Sequence, residues 1–458
     1  MSEQWLSVLP PIVAIVVVLW RREVILALFL SIFTAELLQQ SSLLSSVPMA
    51  GLFTLERIIS VLEDKDNARI LVFSLMIGAL LAYIRQSGGV TAMVNSIINR
   101  GVARNARQTA LLTSGVGVAV FVESNLSVLT AGILSRGLFD RFGMSRAKLA
   151  YIIDSTSAPI CILILLNAWG AYILALLGSY ELEASAAQIL WGTVPLNFYA
   201  LVTLVIVFFT AWTGKYYGPL ATSKTIKHED SAEDLPVDAT HPSFMFVPLL
   251  VMVGGMVTFM FCTGDGVMAN GSGSRSVLYS VALACLVAYV MMLASGNFTH
   301  IKLVKIGFEG MGELLPLVTI VLFSLALGAS LKELGTGIFI AGLVGEFLPI
   351  YLIVPMMFLA GALISFSTGT SWGTFAILIP IGVPLIQALG LPPSLVLAAI
   401  LGGGIFGDHC SPISDTTAVS AIASGCDLLE HVRTQLPYAL VAGGITLVMY
   451  FVVSLLVL

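Results

Sequence analysis

The stretch GGGIFGDHCSPISDTT, at residues 402–417, interrupts an otherwise apolar segment near the end of the chain. After three glycines it places two aspartates, one histidine and four hydroxyl side chains within ten residues. The surrounding segment, 392–424, is apolar enough to lie in lipid, where an ionised carboxylate costs at least about 2.5–3.5 kcal/mol. Since Pro412 also removes a backbone donor, the composition predicts a membrane-spanning helix that is broken near its middle.

The composition of the whole chain requires lipid as its solvent. Hydrophobic residues make up 58% of the 458 positions and charged residues 10%, whereas a soluble domain holds about 45–50% apolar and about 25% charged residues. A helix crosses the hydrocarbon with roughly 20 apolar residues, so the sequence predicts an all-α membrane protein with about ten transmembrane helices. The predicted spans are 6–20, 24–38, 70–84, 149–177, 187–212, 243–262, 277–294, 314–331, 392–424 and 436–458.

Two further apolar regions carry polar residues near their middle, and we predict that each is a re-entrant helical hairpin. They cover residues 108–135 and 352–386. Three other segments, 51–62, 90–104 and 300–313, mix charges with apolar residues at helical spacing. That pattern is typical of helices that lie in the membrane interface.

The positively charged residues indicate how the chain is oriented. With the N-terminus outside, all but five of the 21 Lys and Arg residues fall on the cytoplasmic side, as the positive-inside rule favours. We therefore expect a multi-pass protein of the cytoplasmic membrane with its N-terminus and C-terminus outside. The five exceptions are Arg57, Lys65, Arg69, Arg275 and Lys332.

The two halves of the chain carry the same features in the same order. Gly78–Leu81 matches Gly328–Leu331, and a hairpin and a broken span follow each of them. An odd number of full crossings precedes the hydrophilic segment 213–242, so the second half enters the membrane with the opposite orientation. The sequence therefore predicts inverted repeats at 1–212 and 243–458, joined by a cytoplasmic linker. Broken helices at matching positions of such halves indicate a transporter site near the bilayer midplane.

Carboxylates and hydroxyls concentrate at both broken spans. In the span 149–177, Asp154 precedes three hydroxyl residues and Pro159, which frees a backbone carbonyl. Hard cations bind carboxylate, hydroxyl and carbonyl oxygens, so we expect Na⁺ at Asp154, Asp408 and Asp415. The predicted ion-binding residues are Asp154, Ser155, Thr156, Ser157, Asp408, Ser411, Asp415 and Thr416.

The hairpin tips differ in charge. The first tip carries an acid, Glu123, whereas the second offers only hydroxyls and an indole, and Trp372 is either a gate or a packing residue. His409 has three possible roles: to carry a proton, to donate to a substrate carboxylate, or to brace the break. The predicted substrate or proton residues are Glu123, Ser124, Asn125, Thr368, Thr370, Ser371, Trp372 and His409.

The residues give little support to metal, redox or nucleic-acid binding, to catalysis or to channel function. The five cysteines are scattered without metal or redox spacing, and nothing basic or aromatic suggests nucleic acid. A membrane enzyme would depend on His409 near Ser411 and Asp415 alone, and a channel would need polar faces that most spans lack. We expect a protein that is not an enzyme and needs no cofactor, with Na⁺ as its coupling ion.

Residues 407–417, GDHCSPISDTT, resemble the signature of the NhaC-type Na⁺/H⁺ antiporter family, within the ion transporter superfamily. Asp154–Pro159 and Ser371–Thr374 resemble its other motifs. The resemblance implies a homodimer in which a scaffold domain supports a transport domain. That transport domain would hold both hairpins and both broken helices and would slide as an elevator. Members of the family exchange Na⁺ for H⁺, exchange malate for lactate, or move amino acids with Na⁺.

Two functions are compatible with these residues. In the first, Na⁺/H⁺ antiport, the two ions compete for Asp154, Asp408, Asp415 and Glu123. In the second, Na⁺ drives transport of a small organic solute, an amino acid or a carboxylate. The hydroxyls of the second hairpin and His409 would then form the solute pocket, while the acids hold Na⁺.

Overall fold

The computed structural model describes the chain except for residues 1–3, 41–46, 100–102, 122–123, 166, 179, 181, 183, 224–239 and 267–270. Throughout the described part the regular structure is helical and no strand is present. The all-α prediction is therefore confirmed. Most of the predicted linker, 213–242, lies outside the described residues, as does the predicted site residue Glu123.

The first half of the chain folds into eleven α-helices within the described ranges. They are α1 (Leu9–Arg21), α2 (Val24–Leu38), α3 (Val47–Ser60), α4 (Lys65–Gln86), α5 (Gly89–Asn99), α6 (Ala106–Ala119), α7 (Ser124–Arg141), α8 (Arg146–Leu163), α9 (Ala168–Gly178), α10 (Ala186–Thr193) and α11 (Phe198–Thr213).

The second half adds nine more α-helices over the residues that are described. They are α12 (Ser243–Thr263), α13 (Gly273–Ala294), α14 (His300–Glu333), α15 (Thr336–Phe347), α16 (Ile353–Thr368), α17 (Ser371–Leu389), α18 (Pro393–Cys410), α19 (Asp415–Ser424) and α20 (Leu428–Val457).

Nine helical segments of the described chain are long and apolar enough to cross a membrane: α4, α11 with the turns that follow it to Leu220, α12, α13, α14, α16 with the turn that precedes it from Ile350, α17, α18 and α20. The chain is thus a multi-pass membrane protein. The set differs from the predicted spans because 149–177 is divided between α8 and α9, neither of which belongs to the set. Both arms of the predicted second hairpin, α16 and α17, are individually long enough to span, and the apolar helices α1 and α2 are shorter.

The predicted break at Asp154–Pro159 is misplaced, because α8 continues to Leu163. Ser157 donates its hydroxyl to the Asp154 carbonyl at 3.0 Å, a bond made within this same helix. The interruption comes later, between α8 and α9. There the Asn167 amide donates to the Cys161 carbonyl at 2.8 Å, and its oxygen accepts the Gly170 N–H at 3.1 Å.

The apolar segment 392–424 is interrupted between α18 and α19. Pro412 cannot donate within a helix, and Ser414 caps the new helix by accepting the Thr417 N–H at 3.3 Å. The break is fastened to α16, because the Ser411 hydroxyl donates to the Phe366 carbonyl at 2.7 Å.

The glycines of α18 let its backbone touch that of α16. A Cβ placed on Gly403 would meet the Phe358 carbonyl oxygen at 2.2 Å, and one on Gly407 would meet the Ala362 oxygen at 2.2 Å. The glycine run therefore serves close helix packing rather than unwinding, since residues 402–404 stay within the helix.

The prediction that segment 300–313 is a separate interfacial helix is wrong. This segment is continuous with the following span in α14, a helix of 34 residues. Small residues bring α14 against α4, since a Cβ on Gly78 would meet the Gly310 oxygen at 2.3 Å. Contact with a neighbouring helix therefore keeps this charged segment in line with the span.

Two groups of helices surround the breaks. In one group α6, α7 and α8 pack on one another, and α19 packs on α7 and α8. In the other, α16 and α17 pack on α18. Helices α11 and α20 contact each other as well as α8 and α18, so they lie against both groups.

Candidate ion-binding site

The three predicted sodium-binding carboxylates are neighbours in the fold but differ in burial. Asp154 and Asp408 are 0% and 1% exposed, whereas Asp415 is exposed at the start of α19. Each of the three acts electrostatically on another member of the set. Asp154 of the first predicted broken span therefore lies within electrostatic range of Asp408 and Asp415 of the second.

Asp154 is held by two side chains of α20. Its Oδ2 accepts a hydrogen bond from Gln435 Nε2 at 2.5 Å and lies 3.3 Å from His431 Nε2. Gln435 Nε2 also donates to the His409 carbonyl at 3.1 Å, which links α8 to α18. The second carboxylate oxygen, Oδ1, makes no hydrogen bond with the described residues.

Asp408 faces the start of α17. Its Oδ2 accepts the Ser371 hydroxyl at 3.3 Å, while its Oδ1 is buried without a hydrogen bond from the described chain. The N-terminal end of a helix carries partial positive charge, which favours a carboxylate beside it. The structure thus brings together a residue of the second predicted hairpin and the aspartate of the second break.

The turn between α18 and α19 is rich in oxygen atoms. Ser414 and Thr416 place their hydroxyl oxygens 3.0 Å apart, and both side chains are buried. Asp415 Oδ1 accepts the Thr416 N–H at 2.9 Å, which leaves its other oxygen available. Since Ser411 donates to α16, its lone pairs point elsewhere and accept the Ile413 N–H at 3.4 Å.

The hydroxyls that follow Asp154 are less available than the sequence suggests. Thr156 donates to the Ile152 carbonyl at 2.8 Å, and Ser157 bonds within the same helix. Thr156 also packs on α6, where a Cβ on Gly117 would meet its Oγ1 at 2.3 Å. Only Ser155 of the three lines open space beside the site.

His409 lies against α11. Its Nδ1 is 3.1 Å from the Tyr199 hydroxyl, and the two rings meet edge to face with centroids 5.8 Å apart. The ring is 1% exposed, and its Nε2 has no hydrogen-bond partner among the described residues. These contacts fit the bracing role best among the three considered for this residue.

A small cavity of about 10 Å³ adjoins His409, with room for about one water molecule. Three of its lining residues, Thr203, His409 and Gln435, have a buried polar atom with no hydrogen bond to the described chain. Such a donor and acceptor set suits a bound water molecule. The lining residues are Tyr151, Ser155, Tyr199, Thr203, Ile206, His409, Gln435, Tyr438 and Ala439.

The hairpin-tip residues separate into different environments. Glu123 lies outside the described residues, while Ser124 and Asn125 open α7, with Ser124 buried. Thr368 donates to the Ile364 carbonyl at 3.0 Å, and Thr370 is the N-cap residue of α17.

Trp372 packs among aromatic side chains. Its ring centroid lies 4.9 Å from those of Trp169 and Tyr172, and its carbonyl accepts the Tyr172 hydroxyl at 2.9 Å. Both partners belong to α9, which follows the first break. These contacts favour the packing interpretation and tie the second predicted hairpin to the first half of the chain.

No group of three His, Cys, Asp or Glu side chains in the described ranges is arranged to hold a metal ion. Hard cations such as Na⁺ bind carboxylate, hydroxyl and carbonyl oxygens. Asp408 with Ser371, and Asp415 with Ser414 and Thr416, offer such oxygens at the break.

Three residues that contact the site are not predicted from the sequence: His431, Gln435 and Tyr199. A signal for α20 was present, because His431, Gln435 and Tyr438 recur at intervals that place them on one face of a helix. For Tyr199 no such pattern exists, since it is a single tyrosine in an apolar span.

Replacing Gln435 with Leu will destabilise the protein by about 1–3 kcal/mol, because the buried Asp154 carboxylate loses its 2.5 Å donor. Thermal unfolding in detergent measures this effect. Thr434→Val is the control, since the Thr434 hydroxyl is buried on the same helix but bonds only to carbonyls of that helix. Equal melting temperatures for the two variants would contradict the assigned contact.

Buried carboxylates at an interrupted helix, within a bundle of membrane-spanning helices, are features of secondary transporters. The chain belongs to the Na⁺/H⁺ antiporter family, whose sequence model matches residues 160–455. The predicted family is thereby confirmed. It is a family of transporters rather than of enzymes.

Two relatives illustrate the range of the similarity. An uncharacterised protein of Haemophilus influenzae is 28% identical over 486 residues, which cover 99% of this chain and 91% of its own. The malate-2H(+)/Na(+)-lactate antiporter of Bacillus subtilis is 41% identical over 108 residues, which cover 22% of each chain.

A solved structure supports the fold. The YdaH transporter of Alcanivorax borkumensis superposes with a TM-score of 0.60 at 14% sequence identity, covering 88% of both chains. At this identity the likeness concerns the arrangement of helices alone.

Proposed function

We propose that the protein exchanges Na⁺ for H⁺ across the cytoplasmic membrane, with both ions competing for the carboxylates at the second break. The observation that carries the proposal is Asp408, which is 1% exposed, bonded to Ser371 through one oxygen and unpaired at the other. The membership of the Na⁺/H⁺ antiporter family supports the choice of ions.

Burial explains why the two ions would compete. An ionised carboxylate in a low-dielectric site costs several kcal/mol unless a cation or a proton neutralises it. The Asp408 carboxylate is therefore stable when it binds Na⁺ or H⁺, and unstable when it binds no cation. Asp154 and Asp415 act on Asp408 electrostatically. A cation bound at Asp408 therefore also favours the ionised forms of these two neighbouring carboxylates.

The proposed movement is an elevator in which the predicted hairpins and the helices at the breaks travel together. Support comes from packing: α6, α7, α8 and α19 form one group, and α16, α17 and α18 form another. We further propose that the halves are inverted repeats, that α6–α7 and α16–α17 are re-entrant, and that the protein is a homodimer. Both termini would lie outside the cell, as the distribution of Lys and Arg favours.

A second candidate is Na⁺-coupled transport of a small organic solute, either an amino acid or a carboxylate. The specific observation in its favour is the 41% identity over 108 residues to an antiporter named for malate and lactate. The solute would lie beside the hydroxyls of Thr368, Thr370 and Ser371, with Na⁺ at the break.

Proteoliposomes loaded with a pH-sensitive dye test the first proposal. An inward Na⁺ gradient, without organic solute, will drive protons out of the vesicles that contain the wild-type protein. Vesicles with Asp408→Asn protein are the matched control and will show no proton movement. If wild-type vesicles do not respond to Na⁺, simple antiport is excluded. Na⁺-dependent uptake of labelled amino acids or carboxylates would then establish the second candidate.

A further inference from the structure

Helix α19 is short, and its two ends face different surroundings. It has 10 residues and is therefore about 15 Å long. Its first turn carries Asp415 and Thr416, which belong to the candidate site. Its last turn ends at Ser424, and two arginines from other helices reach it there.

The carbonyls at the C-terminal end of α19 are all satisfied. A helix leaves its last four carbonyls without partners inside the helix. The backbone cap serves two of them: Cys426 N–H donates to Ala421 at 2.9 Å and Gly425 N–H to Ile422 at 3.1 Å, with Gly425 at φ +68. The carbonyls of Ala423 and Ser424 are left over.

The two arginines bond to these leftover carbonyls. Arg136, from α7, donates through Nη2 and Nε to the Ala423 oxygen at 3.0 and 3.2 Å, and through Nη2 to Ile422 at 2.6 Å. Arg146, from α8, donates through Nη1 to the Ser424 oxygen at 2.8 Å. Cations at this end also match the negative pole of the helix dipole.

The same contacts join three helices. Arg146 Nε donates to Asp140 Oδ1 at 2.8 Å, so α8 is fastened to α7 as well as to α19. Helices α7 and α19 approach closely, since a Cβ on Gly132 would meet the Ala423 oxygen at 2.9 Å. Helix α8 carries Asp154, so this end of the bundle connects the two broken spans.

We infer that Arg136 and Arg146 are positioning residues for ion binding. By holding the C-terminal end of α19 on α7 and α8, they fix Asp415 and Thr416 relative to Asp154. The inference rests on the proposed function, because its consequence is a change in the Na⁺ requirement of transport. Neither arginine touches the ion; both act through the placement of α19.

Arg136→Gln and Arg146→Gln variants test the inference through kinetics. Each will raise the KM for Na⁺ about fivefold to tenfold, because charge-assisted bonds at the helix end are lost, while the maximal rate changes less. Arg136→Lys will recover part of the loss, since lysine keeps the charge but not the forked geometry. Arg141→Gln is the control, because Arg141 is exposed on the same helix and stacks on Phe142.

Hydrogen–deuterium exchange of the peptide 415–426 provides a readout that does not depend on transport. Exchange will rise in the two Arg→Gln variants and not in Arg141→Gln. Unchanged exchange would show that the two arginines do not hold the C-terminal end of α19. Raised exchange with an unchanged KM for Na⁺ would show that holding this end does not position the ion site. If the wild-type protein shows no Na⁺-driven proton movement, the proposed function fails and the positioning role fails with it. If the wild-type protein is active and the two Arg→Gln variants have its KM for Na⁺, only the positioning role fails.

Discussion

Asp408→Asn abolishes Na⁺-coupled transport, lowering its rate at least about 100-fold, because the site loses the buried charge that binds the cation. A charge interaction of about 3 kcal/mol in a buried site corresponds to that factor. Uptake of ²²Na⁺ into proteoliposomes measures the loss. The same variant will unfold at an equal or higher temperature, since asparagine can still accept from Ser371 and position 408 no longer buries a charge.

Glu309→Gln is a suitable control for that experiment. Glu309 is an exposed acid on α14 that lies 3.7 Å from Lys305, and surface pairs of this kind contribute little. Its removal will leave both uptake and melting temperature unchanged. Retention of Na⁺-coupled transport by a folded Asp408→Asn protein would refute the ion-binding role of Asp408.

Gly403→Ala separates α18 from α16 and destabilises the fold by about 1–3 kcal/mol, the usual cost of overpacking. The new methyl group would lie 2.2 Å from the Phe358 oxygen and 3.0 Å from its carbonyl carbon. Because these are backbone atoms, no side-chain rotation relieves the clash, and one of the helices has to shift. Thermal unfolding followed by fluorescence-detected size exclusion measures the effect.

Gly444→Ala gives the opposite expectation. Gly444 lies in the middle of α20, and a Cβ there meets nothing within 4 Å. Alanine is the better helix former by about 0.8–1.0 kcal/mol, so this variant will be as stable as the wild type or more so. Equal stability of the Gly403 and Gly444 variants would contradict the close approach of α16 and α18.

The sequence is most informative where local chemistry decides the structure. A proline and a cluster of polar residues predict a break within the segment 392–424, and in the structure α18 ends at Cys410 and α19 begins at Asp415. Polar residues in an apolar span also identify Asp154 and Asp408 as buried acids, because lipid leaves such groups no other compensation.

Contacts between distant helices decide the rest, and periodicity does not show them. Asp154 lies within a regular helix, and its carboxylate is bonded by the amide of Gln435, which is 281 positions away. Likewise α14 continues through its charged segment because Gly310 packs on Gly78. A proline or a run of charges marks a possible boundary, and packing decides whether the helix ends there.

The 34 residues of α14 correspond to a rod of about 51 Å, whereas the hydrocarbon layer is about 30 Å thick. Such a helix cannot be accommodated upright within the hydrocarbon, so it tilts or extends into the headgroup region. Its first turns, which carry Lys302, Lys305 and Glu309, are the part suited to the headgroups. Bilayer thickness thus acts on this helix directly, and lipids of different chain length will alter its inclination against α4.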